Sequence, residues 1–308
     1  MTTINRPVVV GVDGEPGSAG ALRYAVVEAR RRGTSLELVH VVPTYLSLGP
    51  AVPLTDLHEV GEEILRTASE TVRELDPDLY FTTLIAHDDR RAGMVRAAEV
   101  ENAQLVVVGR ESRQGLDRVL SGTATAGIAA HTPCDVAVVP SFWVNGEPRR
   151  RVVVGIKSRH GSYLLLSRAF AEAAAREASL TVVTAWELAD PYFDRVEART
   201  HAQEWQAEGE TVIEEITAEW REKYPDVELQ THIVHGPPGR VLLDASGESD
   251  LLVISRRRFA LPPYGHIGGV GHDVLRLSEV PVLVVPYAAD PPTVDAELVL
   301  EEAGAPLK

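Results

Sequence analysis

Gly109, Ser112, Gly122 and Thr123 fall in the pattern G-x2-S-x9-G-T, directly after the apolar run Leu105-Val106-Val107-Val108. A glycine at the end of such a run lets the chain turn tightly and lets a ligand approach the backbone. Gly122 to Thr125 reads as the opening of a helix, whose unpaired N–H groups and positive dipole end favour an anion. The hydroxyls of Thr123 and Thr125 can donate to phosphate oxygens, and Arg110, Arg113 and Arg118 surround the stretch with positive charge. The chemistry on offer is phosphate binding. The competing reading is strand punctuation followed by a threonine cap.

Other constellations come out negative. Lys157-Ser158 lacks the glycine arrangement of a Walker A loop, and Gly11, Gly14 and Gly17 do not form G-x-G-x-x-G. The ten histidines show no paired zinc spacing, and His87-Asp88-Asp89 reads as a polar loop after a strand. No Ser-His-Asp arrangement can be assembled. Cys134, the single cysteine, excludes a disulfide framework and reads as a small buried residue.

The elements that must position the glycine loop alternate. Val8 to Val12, ending at Asp13, predicts a buried parallel strand. Ser18 is the expected cap of a helix carrying Leu22, Ala25, Val26 and Ala29 at helical spacing, which Gly33 ends. A strand over Leu36 to Val42 follows, then a helix with the apolar stripe Val60, Ile64, Ala68, Val72 and Leu75. A third strand over Leu79 to Ala86, a helix over Arg91 to Val100 and a fourth strand over Leu105 to Gly109 complete the alternation. Such an order implies a parallel sheet with helices on both faces, with ligands beyond the carboxyl ends of its strands. Asp13, Val41 and Gly109 stand at such ends.

The pattern occurs twice. Leu251 to Ser255, Gly268-Gly269 and Pro281 to Pro286 repeat Leu105 to Gly109, Gly122-Thr123 and Asp135 to Pro140 at an offset of 146, and Val152 to Gly155 repeats Val8 to Gly11 at 144. The expected domains are residues 1–141 and 149–288, joined by the turn-rich stretch Ser141 to Pro148, with an acidic tail over 289–308. In the second half, Trp186 should close a strand, and a charged helix is predicted from about Ala202 to Lys223. The 308 residues suit two such domains. With 44% hydrophobic and 24% charged residues the composition is that of a globular protein. A formal charge of −15 argues against a nucleic-acid partner, and no apolar stretch is long enough for a membrane helix. A cytoplasmic location is expected.

Together these features resemble the universal stress protein family in its tandem two-domain form, whose signature is G-x2-G-x9-G-[ST]. The resemblance runs from about Arg6 to Tyr287 and includes Val10-Gly11-Val12-Asp13-Gly14, His40-Val41-Val42 and His131-Thr132-Pro133-Cys134. It implies α/β architecture: two Rossmann-like, adenine-nucleotide alpha-hydrolase-like domains, each a five-stranded parallel sheet of order 3-2-1-4-5. It further implies an ATP site, with or without Mg2+, built from Gly11, Val12, Asp13, Val41, Gly109, Arg110, Ser112, Gly122, Thr123, Ala124 and Thr125. Asp13 would face adenine and ribose, the Val41 backbone would read adenine, and the glycine loop with the Ala124 N–H would hold ribose and phosphates. Ser112 replaces the family's glycine; where that position needs a positive φ, serine costs about 1 kcal/mol and weakens the site without abolishing it.

The second half departs further. Lys157 replaces Asp13, Ser255 replaces Gly109, Arg258 replaces Ser112 and Gly269 replaces Thr123, so this half is expected to bind ATP poorly or not at all. It reads as a packing partner, with an anion site around Arg256, Arg257, Arg258, His266 and His272 as the alternative. The expected function is ATP-dependent regulation or sensing in a stress response, more a binding role than an enzymatic one. The alternatives are a nucleotide-free scaffold and a slow ATP hydrolase. The resemblance also implies an intrachain pseudo-dimer through Val136 to Val139 and Val282 to Val285, with association of whole chains beyond it.

Overall fold

The computed structural model describes residues 6–43, 54–110, 118–256 and 267–288. Ser112, Arg113, Arg257, Arg258, His266 and the 289–308 tail lie outside these residues, as do the side chains of 118–123. The chain divides into two units between Glu147 and Pro148.

The first unit runs β1 (Val8–Gly11), α1 (Pro16–Arg32), β2 (Leu36–Val42), α2 (Leu54–Leu75), β3 (Phe81–His87), α3 (Arg90–Val100), β4 (Leu105–Gly109), α4 (Arg118–His131) and β5 (Asp135–Val139). Its strands lie in the order β3-β2-β1-β4-β5, with the pairs β1·β2, β1·β4, β2·β3 and β4·β5 all parallel. Val8, Val9 and Val10 are fully buried, as are Leu105, Val106 and Val107 beside them. Runs of β-branched and aliphatic residues suit a central strand covered on both faces. One cover is the pair α1 and α2, the other the pair α3 and α4.

Several boundaries differ from the sequence expectation for identifiable reasons. Helix α1 starts at Pro16, with Glu15 as its extended N-cap, and Ser18 lies in the first turn, where its hydroxyl donates to the Glu15 carbonyl at 2.9 Å. Proline at the first helical position has its φ already set and no N–H to leave unpaired, so it displaces serine as the start signal. The C-cap does fall on Gly33, whose φ of 61° is left-handed. On α2, Leu65, Ala68 and Val72 are buried but Val60 and Leu75 are exposed, so the buried stripe is narrower than expected. Strand β3 begins at Phe81 rather than Leu79, after the Asp76–Leu79 turn. Asp89 caps α3 by accepting from the N–H groups of Arg91 and Ala92.

The second unit runs β6 (Arg151–Gly155), α5 (Tyr163–Ala175), β7 (Ser179–Trp186), α6 (Pro191–Thr200), α7 (Ala202–Lys223), β8 (Leu229–His235), α8 (Pro238–Ser246), β9 (Leu251–Ser255), α9 (Gly268–Leu277) and β10 (Val282–Val285). Its order is β8-β7-β6-β9-β10, parallel throughout, which repeats the first sheet. Trp186 ends its strand and α7 spans the residues expected of the charged helix. Helix α6 is an addition not anticipated from the sequence. Asp190 caps it, and Asp194 accepts from the Leu188 N–H and from His235 Nε2, which lies 2.9 Å from both carboxylate oxygens. Trp186 stacks on Trp205 at 5.5 Å and meets the His235 ring at 4.4 Å, which ties α6 and α7 to the end of the sheet.

Candidate functional site

In the first unit the strand order reverses between β1 and β4, the place where doubly wound sheets open a crevice at their carboxyl ends. Gly11 ends β1 opposite Val39, and the Val12 N–H makes the last rung, to the Val39 carbonyl at 2.9 Å. The chain then leaves the sheet. Asp13 is exposed, and its Oδ1 accepts from the Glu15 N–H at 3.0 Å, forming the turn into α1. Gly14 has a φ of 76°, and a Cβ there would lie 2.9 Å from Ile64 on α2, so glycine is required twice over.

Val41 stands one rung beyond the last one. In a parallel strand, residues two apart direct their N–H and C=O to the same side, so Val41 offers both groups toward the space that β1 vacates after Val12. Its side chain leaves the plane of the sheet on the α3 face, onto Gly93, where a Cβ would be 2.8 Å from Val41 Cγ1.

Across the reversal, Gly109 ends β4. A Cβ on Gly109 would sit 2.3 Å from the Gly17 carbonyl oxygen, so only glycine lets β4 approach the first turn of α1 this closely. Thr125 is half-buried and its hydroxyl donates to the Gly109 carbonyl at 3.4 Å, which joins α4 to the end of β4. The hydroxyl proton is thereby directed at protein, and a phosphate oxygen would have to compete for it. The Arg110 N–H continues the β5 ladder at the Val139 carbonyl, and its guanidinium lies over the Phe142 ring at 5.9 Å.

The structure corrects the expected helix opening. Helix α4 starts at Arg118, so Gly122, Thr123, Ala124 and Thr125 occupy its second turn, where N–H groups are already paired to the preceding turn. The unpaired N–H groups belong to the turn at Arg118, four residues earlier. Glycine and threonine resemble a helix start in sequence, but both are tolerated within a helix whose buried face is supplied by Ala126, Ile128, Ala129 and Ala130.

The second unit keeps the backbone and changes the side chains. The Ile156 N–H donates to the Val183 carbonyl at 3.0 Å and the Arg256 N–H to the Val285 carbonyl at 3.0 Å, matching the Val12 and Arg110 bonds. Lys157 and Ser255 occupy the places of Asp13 and Gly109, and Arg256 is buried. Here Gly268 does open a helix, at a φ of 70°. His87-Asp88-Asp89 is divided among a histidine stack with His58, an Asp88–Arg96 ion pair and the α3 cap. Among the described residues no group of three or more His, Cys, Asp or Glu is placed to hold a metal ion.

The sequence profile of the Universal stress protein family matches residues 5–140 and, a second time, residues 148–286. The chain belongs to the universal stress protein family. A universal stress protein of Mycobacterium tuberculosis is 32% identical over 295 residues, covering 90% of this chain and 96% of the relative. A second from that organism is 28% identical over 301 residues, covering 90% and 95%. The crystal structure of a universal stress protein from Archaeoglobus fulgidus matches with a TM-score of 0.67 at 18% identity, covering 92% of this chain and 97% of that one, a likeness of fold. The tandem form of the family thus accounts for both halves of this chain.

Residues that the sequence reading did not assign to the site also shape it. Gly17 supplies the carbonyl that meets Gly109, and a Cβ on Gly20 would lie 2.1 Å from the Pro140 carbonyl oxygen. Their spacing of three in α1 is the signal: two small residues on one helix face mark where backbone passes close.

Proposed function

We propose that the first unit binds ATP at the carboxyl ends of β1, β2 and β4, and that this tandem universal stress protein acts as a nucleotide-dependent regulator or sensor in a cytoplasmic stress response. Asp13 takes the ribose side, the free rung at Val41 takes the adenine edge, and Gly11, Val12, Gly109, Arg110, Gly122, Thr123, Ala124 and Thr125 line the remainder, with Ser112 from the β4–α4 segment. The observation that carries this reading is the pairing of the Val41 rung with Gly109 across the reversal point. One offers a donor and an acceptor in the plane of the sheet, and the other sets the end of β4 against the first turn of α1 at the mouth of the same crevice. ATP brings a base edge to the first and a charged chain to the second, with Mg2+ travelling on the phosphates.

The second unit takes no part in nucleotide binding, since Lys157 and Ser255 replace the two residues on which the site depends. Membership of the family supports the regulatory role. The described residues contain no helix long and apolar enough to cross a membrane, which agrees with the proposed location. Cys134, the single cysteine, is buried, in keeping with a reducing compartment.

The test is to denature the purified protein, identify any released nucleotide, and titrate ATP into the emptied chain and into Asp13→Ala. A ligand at a hundredfold its Kd adds about 2.7 kcal/mol to the stability of the unit that holds it, so binding should also raise one thermal transition and leave the other in place. Absence of binding at millimolar ATP would leave the scaffold reading in its stead.

A further inference from the structure

The ring of His40 lies within the same end of the sheet, and nothing in the proposed site so far uses it. His40 is on β2 between Val39 and Val41, and its side chain faces α2, opposite to that of Val41. Its Nδ1 is 2.8 Å from the Val12 carbonyl oxygen. A carbonyl can only accept, so Nδ1 carries the proton and the neutral ring is the Nδ1–H tautomer. The ring has room because α2 carries glycine beneath it: a Cβ on Gly61 would lie 2.9 Å from His40 Cδ2.

The peptide held in this way joins Val12 to Asp13. Its carbonyl comes after the last rung of the β1–β2 ladder, where the strand no longer dictates the direction of the chain. The second unit provides the contrast. Thr184 stands at the corresponding place beside the matching Ile156–Val183 rung, and its hydroxyl is buried without a hydrogen-bond partner. The unit with lysine in place of Asp13 also lacks this contact.

We propose that His40 is a positioning residue: its Nδ1–H holds the Val12 carbonyl, fixes the Val12–Asp13 peptide and so sets the direction in which Asp13 meets the ligand. The role rests on the reading of the first unit as a nucleotide site. Gly61 belongs to the same device, since it seats the ring.

The experiment is calorimetric titration of ATP into the full chain and into His40→Leu, His40→Asn, Asp13→Ala and the His40→Leu/Asp13→Ala pair. The free tautomer of His40 is read separately by long-range 15N NMR. Loss of one hydrogen bond corresponds to about a tenfold rise in Kd for His40→Leu. Asparagine places a donor near the Nδ1 position and should restore Kd to within about threefold of the parent. Because His40 acts through Asp13, the double variant should bind no more weakly than Asp13→Ala alone. Parent-like binding by His40→Leu, additive losses in the double variant, or an Nε2–H tautomer would each overturn the role while leaving the nucleotide reading intact. Failure of the unmodified chain to bind ATP would overturn both.

Discussion

Replacing Glu37 by glutamine is expected to stabilise the first unit, and to do so far more at alkaline than at acid pH. Glu37 is on β2 between Val9 and Thr82 in register, on the same face as Val41 and therefore beneath α3. It is 6% exposed, its Oε2 has no hydrogen-bond partner, and Glu101, the C-cap of α3, lies on the same side. Burial, reinforced by repulsion from Glu101, pushes its carboxyl from the ordinary 4.5 up to about 7. The folded state then keeps a proton that the unfolded chain releases, so stability falls as pH rises from 4.5 through 7 and stays low above it. At about 1.4 kcal/mol per tenfold change in proton affinity, the full cost is about 3 kcal/mol at pH 8.5, shrinking to about 1 kcal/mol at pH 5. Glutamine keeps the shape and carries no charge at either pH. For a unit of this size each kcal/mol is worth about 2–4 °C, so Glu37→Gln should raise one transition by on the order of 5–10 °C at pH 8.5. Differential scanning calorimetry at both pH values reads this directly. An equal gain at pH 5 and 8.5, or a loss at pH 8.5, would refute the buried-carboxylate argument.

Other expectations follow from single contacts. Gly109→Ala places a methyl 2.3 Å from the Gly17 carbonyl and should both lower the melting temperature of the first unit and weaken ATP binding. Gly20→Ala meets the Pro140 carbonyl at 2.1 Å, away from the proposed ligand, and should destabilise by about 1–3 kcal/mol in denaturant titration. Thr184→Val removes a buried hydroxyl that makes no hydrogen bond and should stabilise the second unit by about 1 kcal/mol in the same assay. The backbone N–H of Leu188, and then His235, hold the Asp194 carboxyl below its usual range. Its contribution is therefore present at neutral pH and lost as pH falls through the depressed value, so the cost of Asp194→Asn in thermal melts should be largest near neutrality and fade in acid.

The strands were the most legible part of the sequence, because Val8 to Val10, Leu105 to Val108 and Leu251 to Ile254 are uninterrupted apolar runs that suit only a sheet covered on both faces. Duplication sharpened each of them, since a motif seen twice restricts both copies. Helix starts were less legible. At Pro16 the decisive factor was backbone pre-organisation, and at both Pro16 and Arg118 a residue further along that resembles a helix start was the louder but misleading signal. Helix α6 did carry a signal in Asp190-Pro191, a cap followed by proline, but its place depends on the Asp194–His235 contact between residues 41 positions apart. Identity alone was enough to nominate Asp13 and Gly109 for the proposed site. His40, Gly17 and Gly61 could not be found that way, because what they do depends on a ring, a carbonyl and a missing Cβ meeting across separate elements.

The matched backbone rungs of the two units have a bearing on how this chain can change. The Val12 and Ile156 bonds measure 2.9 and 3.0 Å, and the Arg110 and Arg256 bonds 2.8 and 3.0 Å, although the residues around them differ in charge and size. The hydrogen-bonded frame has been inherited separately from the chemistry mounted on it. A gene duplication that preserves such a frame supplies a spare socket, one in which lysine, serine and arginine can be tried without endangering the copy that still carries aspartate and glycine. Substitutions should therefore be tolerated best at Lys157, Thr184 and Ser255, where the backbone rungs match those of the first unit and the side chains already differ from Asp13, His40 and Gly109.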